Sequence, residues 1–199
     1  MTRILIVTGD GSTPDLDYAV FRMREEGFDV TIAAPKKKRL HVVIHQQEEG
    51  WDTYVERPWY AMDADASFDE IDPATFDGLL LPGGRAPEQI RNIERCVEIV
   101  RHFVDSDKPI GAICRGPLVL LEAGLKGRRL TGNSLIKPRV AIRGSRRKHC
   151  DRTGETLLPC MDTGIPVYAE RNACLHGDGS ASCRSYSYDY RGVYQLRPS

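Results

Sequence analysis

Aromatic residues are scarce in this chain. They make up 8% of 199 residues, as two Trp, five Phe and eight Tyr. No apolar run approaches the ~18–20 residues a membrane helix needs, so no membrane association is expected. The N-terminal Ile4-Leu5-Ile6-Val7 is too short for a signal peptide's apolar stretch and suits a buried strand. Net charge is also missing: 28 Lys and Arg balance 28 Asp and Glu. That balance argues against a basic nucleic-acid binder, and no nucleic-acid partner is expected. The six cysteines include no CxxC pair, so neither a structural zinc site nor another metal centre is expected. With no secretion signal, the expected location is cytoplasmic, where thiols stay reduced. What is present looks globular: 41% hydrophobic and 28% charged residues, in a length that suits one domain with a sizeable core.

The zero net charge is a cancellation. Residues 1–125 carry 14 basic and 22 acidic side chains, a balance of −8, whereas residues 126–199 carry 14 and 6, a balance of +8. Cys96 and Cys114 lie early; Cys150, Cys160, Cys174 and Cys183 lie late. The expected organisation is an α/β domain over residues 1–144 and an atypical, poorly ordered basic segment rich in Cys, Ser and Gly over 145–199.

Apolar patterning over the first part alternates strand and helix. Ile4–Val7 reads as a strand. Leu16, Ala19, Val20 and Met23 follow at helical spacing, and Val30–Ala34 is a second strand. Lys36-Lys37-Lys38-Arg39 is a basic turn, and Leu40–His45 has strand composition. Trp51–Tyr60 suits a loop or short hairpin. Asp72-Pro73 can start a single helical turn. Phe76–Leu81 is a strand, Glu94–Val104 a helix, and Pro109–Ile113 a strand that runs into Cys114. Leu118–Leu121 then forms a buried helix, and Arg128–Thr131 can add a strand. This pattern predicts an α/β fold, a doubly wound, mostly parallel sheet sandwiched by helices.

Gly111-Ala112-Ile113-Cys114-Arg115-Gly116-Pro117 carries the chemistry. A strand enters a turn with the pattern small-x-nucleophile-x-small and leaves as a helix, the arrangement of a nucleophile elbow. Unpaired N–H groups at the helix start favour thiolate, so a lowered Cys114 pKa is expected. Pro82-Gly83-Gly84-Arg85-Ala86-Pro87-Glu88 follows the neighbouring strand, where glycine N–H groups can join that of Arg115 in an oxyanion hole. Cys96 sits mid-helix, away from any such turn, and reads as a packing residue.

Together, Leu81-Pro82-Gly83-Gly84-Arg85-Ala86-Pro87-Glu88 and Pro109-Ile110-Gly111-Ala112-Ile113-Cys114-Arg115-Gly116-Pro117 resemble the ThiJ/PfpI (DJ-one) superfamily. The intracellular-protease-like PfpI branch is the nearest. Phe21–Gly27, Phe68–Pro73 and Gly124–Arg128 support the likeness, and His45–Pro58 resembles an insertion found in part of that branch. The resemblance implies a flavodoxin-like fold of the class I glutamine amidotransferase kind in a homodimer or hexamer, working without a cofactor. It implies glyoxalase- or deglycase-like action on small reactive carbonyls, or weak peptidase action. The alternatives are a non-catalytic oxidative-stress sensor and a degenerate, inactive member.

By residue, Cys114 matches the family nucleophile, and Gly83, Gly84 and Arg115 match the oxyanion-hole backbone. Glu88 matches a Glu that reaches a neighbouring subunit's site. Two departures stand out. The residue after the nucleophile is often His, and here it is Arg115, which cannot serve as a base. A loop Glu that bonds the cysteine is replaced by Ser12 or Thr13, with Asp10 and Asp15 nearby but offset. Arg115 is expected to hold positive charge beside the sulfur, and His45 is the best remaining candidate base. The expected outcome is a reactive thiolate with weakened turnover. Residues 145–199 lack the closing amphipathic helix of family members, which raises the hypothesis of an altered reading frame or a diverged gene; a basic patch for anionic partners is the alternative.

Overall fold

The computed structural model describes residues 1–126 together with 129, 130, 133, 136, 139, 146 and 147. Strand β1 (Arg3–Val7) leads through helix α1 (Asp15–Glu25) to β2 (Asp29–Ala34). Short strands follow: β3 (Arg39–Leu40), β4 (Val43–Gln46), β5 (Val55–Pro58), β6 (Met62–Asp63) and β7 (Ala66–Ser67). Then come β8 (Gly78–Leu81), α2 (Ala86–Ile90), α3 (Glu94–Asp105), β9 (Ile110–Ala112) and α4 (Pro117–Glu122). A short parallel pair, β10 (Arg129–Leu130) and β11 (Arg146–Arg147), closes the described chain.

The central sheet has the order β7-β2-β1-β8-β9, with every pairing parallel. Its inner strands are apolar on both faces, as a sheet covered on both sides requires. Leu5, Val7, Leu79 and Leu81 pack on one face with Cys96, Ile99, Val100 and Phe103 of α3 and with α4. Ile6, Ile32 and Leu80 point the other way, against Leu16, Ala19 and Val20 of α1. Alternation along each strand thus builds two cores from one apolar run. The doubly wound α/β reading holds.

Asp72 caps the 3₁₀ turn Pro73–Thr75, its carboxylate accepting from the Ala74 N–H at 3.1 Å. The run Leu40–His45 forms two strands instead of one. Asp10 accepts from the His41 N–H at 2.9 Å, and the Gly11 N–H donates to the His41 carbonyl at 2.8 Å. Pinned there, the chain pairs β3 with β6 and β4 with β5, so Trp51–Tyr60 supplies one strand of a hairpin with β4 instead of a short hairpin of its own. Helix α2 continues what reads in sequence as a turn. Pro87 stands in its first turn, where a missing N–H costs nothing. The four late cysteines and the expectations for residues 148–199 lie outside the described residues. Among the described residues, no helix is long and apolar enough to cross a membrane.

Candidate active site

The site forms where β1, β8 and β9 end. Cys114 follows β9 by two residues and precedes α4, with a φ of 53°. Non-glycine residues rarely hold that left-handed conformation, so the surroundings must impose it. They do so through backbone bonds. The Ile113 N–H donates to Leu81 O at 2.9 Å, Gly116 N–H to Ile113 O at 2.6 Å, and Asn133 N–H to Cys114 O at 3.1 Å. The elbow is therefore tied to β8, to its own turn and to the segment beyond α4.

Two backbone N–H groups, of Gly84 and Arg115, hydrogen-bond to the Cys114 thiol, and so does the Asn133 side chain. Gly84 has a φ of 78°, and a Cβ there would lie 2.1 Å from Gly11 O. Only glycine permits that approach between the β8 turn and the β1–α1 loop. At Gly83, a Cβ would meet Cys114 Cβ at 2.8 Å, Thr13 Oγ1 at 3.1 Å and Asp15 Oδ2 at 3.5 Å. The cysteine, a hydroxyl and a carboxyl thus converge on one small space.

Asp15 is the carboxyl at that point. It is the first residue of α1 and is buried. Its Oδ2 accepts the Gly83 N–H at 2.6 Å, and its other oxygen accepts the Thr13 hydroxyl. Burial pushes its carboxyl up to about 6 against both hydrogen bonds, and the charge of Asp17 adds to the rise. Gly83 is therefore no oxyanion donor. Its N–H is committed to Asp15, which corrects the expectation from sequence and leaves Gly84 and Arg115.

The expected lowering of the Cys114 pKa is also corrected. Burial pushes the thiol up, and the nearby negative charge of Asp15 pushes it further. The N–H groups of Gly84 and Arg115 and the Asn133 side chain work the other way but do not outweigh lost hydration. Arg115 does not supply the missing charge. Its guanidinium turns to Glu88, with Nη1 2.9 Å from Oε1, and lies 5.5 Å from the Tyr54 ring centre. Glu88 thus bonds within its own chain.

The remaining candidates sit farther out. Ser12 is buried and exchanges a hydrogen bond with the Thr8 hydroxyl, while its carbonyl accepts the Val43 N–H at 2.8 Å. Thr13 lies at the site, its hydroxyl donating to Asp15. Asp10 pairs with Lys38 and His41 at the turn before β4. His45 stacks on Tyr54 at 3.9 Å between ring centres, with its Nε2 3.3 Å from Glu56 Oε1 but not aligned for a hydrogen bond. Burial lowers its pKa, and the groups that act on it are Glu56, Arg115 and Arg85. Arg85 completes the surroundings, 3.2 Å from Glu56 Oε2. Among the described residues, no group of three or more His, Cys, Asp and Glu side chains could hold a metal ion.

Sequence reasoning missed three contributors. Asp15 was legible only as an offset acid, although its place directly after Pro14 marks the first turn of a helix. Asn133 carries no motif, and Arg85 stands within the Pro82–Glu88 motif without a role read for it.

Residues 2–164 match the model of the DJ-1/PfpI family. The chain belongs to this family. Deglycase TK1284 of Thermococcus kodakarensis is 35% identical over 145 residues, covering 72% of this chain and 79% of that protein. Deglycase PfpI of Pyrococcus furiosus is 40% identical over 118 residues, 59% of this chain and 63% of that one. Protein/nucleic acid deglycase 2 of Escherichia coli is 41% identical over 104 residues, 51% of this chain and 59% of its own length. Among solved structures, Schizosaccharomyces pombe DJ-1 superposes with a TM-score of 0.61 at 18% identity, over 78% of this chain and 81% of that one. That likeness supports the fold, and the family match extends past residue 144.

Proposed function

We propose that this protein is a deglycase-like enzyme that acts on small reactive carbonyls through Cys114. One observation carries the reading: two backbone N–H groups, from Gly84 and Arg115, converge on a sulfur held at a left-handed turn. Donors that hydrogen-bond the thiol also stand where an oxygen would form beside it. Relatives named deglycases at 35–41% identity support the same chemistry.

The sulfur attacks the carbonyl carbon, and the C=O pair moves to oxygen between the two N–H groups. The thiol proton passes to Asp15, which is ionised above its pKa of about 6, and then returns to the new oxygen as a hydroxyl. The product of this step is a hemithioacetal. With methylglyoxal, the proton on the aldehyde carbon moves to the adjacent carbon and the hydroxyl proton moves to the ketone oxygen, which gives a lactoyl thioester. Water then releases lactate and restores the thiol. Asp15 thus does from helix α1 what neither Arg115 nor His45 does.

The test is lactate formation and methylglyoxal loss with wild type and Cys114→Ala. Turnover abolished by the substitution is expected. Equal turnover in both proteins overturns the reading.

A further inference from the structure

Around the mouth of the Cys114 turn runs a belt of side chains that none of the chemistry above uses. Glu88 of α2 holds Arg115 at 2.9 Å, and Arg115 lies 5.5 Å from the Tyr54 ring centre. Tyr54 stacks on His45 with rings 3.9 Å apart and 19° from parallel. His45 faces Glu56 at 3.3 Å, and Glu56 pairs with Arg85 at 3.2 Å. Arg85 directly follows the oxyanion donor Gly84, and Arg115 directly follows the nucleophile. The hairpin β4–β5 is therefore joined at both ends of the belt to residues adjacent in sequence to the reacting groups.

At its β4 start the hairpin is anchored: Val43 and Ile44 are buried, and the Val43 N–H donates to Ser12 O at 2.8 Å. It pairs only with itself and stands outside the central sheet. Its inner residues His45 and Glu56 are about one-fifth exposed, whereas Arg115 beneath Tyr54 keeps only 8% of its surface. The contacts of its guanidinium include one aromatic ring and one carboxylate. A ring between an imidazole and a guanidinium is held by stacking and cation–π attraction, each modest at a partly exposed site.

We propose that Tyr54 is a specificity-determining residue: with the hairpin it walls the Cys114 crevice so that small carbonyl compounds enter and peptide-sized ones do not. This deepens the reading of Cys114 as the nucleophile and rests on it for the word substrate, but the wall itself is testable without turnover. Small electrophiles reach the sulfur past the closed hairpin. Bulky ones need the Tyr54–Arg115 contact to break.

The experiment compares alkylation rates of Cys114, located by peptide mass mapping, for iodoacetamide and for a maleimide carrying a long polyethylene glycol chain. Each rate is normalised to a free cysteine peptide. In wild type the bulky reagent is selectively slowed. Tyr54→Ala removes both the stack and the cation–π contact and raises the bulky-to-small ratio about tenfold, with the iodoacetamide rate unchanged. Tyr54→Phe keeps the ring and behaves as wild type. Glu56→Gln loosens the other end of the belt and raises the ratio in the same direction, and it decides the matter if Tyr54→Ala does not fold. A wild-type ratio equal to that of the free peptide, or an unchanged ratio in both folded variants, overturns the proposal. Absence of methylglyoxal turnover in wild type alongside the expected ratios sinks the catalytic reading and leaves the wall standing.

Discussion

Replacing Asp15 with Asn tests the buried acid on which the proton transfer depends. The folded pKa of about 6 lies above the unfolded value of about 3.9, because burial disfavours the charge. The folded state therefore binds more protons between those values. The stabilisation from this protonation is full below the unfolded pKa and is lost as pH rises through 6. Working the linkage for one group gives ~1.4 kcal/mol of stability present at pH 5 and absent at pH 8. Asn has no such titration and keeps an oxygen for the Gly83 N–H. Urea unfolding of wild type and Asp15→Asn at both pH values reads the difference. The variant should gain on wild type by ~1.4 kcal/mol between pH 5 and pH 8, a relative midpoint shift of about 0.5–1 M urea. A stability difference between the two proteins that is the same at both pH values, or that moves the other way, refutes a buried Asp15 with a raised pKa.

Two further outcomes follow from the same geometry. Alkylation of Cys114 should accelerate only as pH passes above the ordinary thiol range, while Cys96, fully buried and pushed up to about 12, should stay unlabelled in the folded protein; a plateau for Cys114 near neutral pH contradicts this. Gly84→Ala would place a Cβ 2.1 Å from Gly11 O at a φ of 78°, so a loss of at least ~2 kcal/mol and a melting temperature lower by about 4–8 °C are expected by calorimetry.

Most of the sheet is legible in the chain because buried parallel strands are continuous apolar runs. Ile4–Val7, Val30–Ala34, Leu79–Leu81 and Ile110–Ala112 all read as strands on that basis. The elbow is legible because its small residues and its cysteine are neighbours in sequence. The split of Leu40–His45 is not, since it depends on Asp10 and Gly11 some thirty residues earlier. Which glycine faces the sulfur is equally hidden. Gly83 and Gly84 are alike in sequence, but the backbone turn gives the Gly83 N–H to Asp15 and the Gly84 N–H to Cys114.

The sequence by itself determined the α/β order, the place of the cysteine turn and the family, because each rests on residues close together in the chain. Only the tertiary structure decided the burial of the Cys114 thiol, the carboxyl that lies near it and the direction of Arg115. Those depend on burial and on contacts between residues far apart in the chain, such as Asp15 with Gly83 and Arg115 with Tyr54. Desolvation is a property of the packed site, so a cysteine read as a ready thiolate becomes a protonated thiol once the fold closes around it.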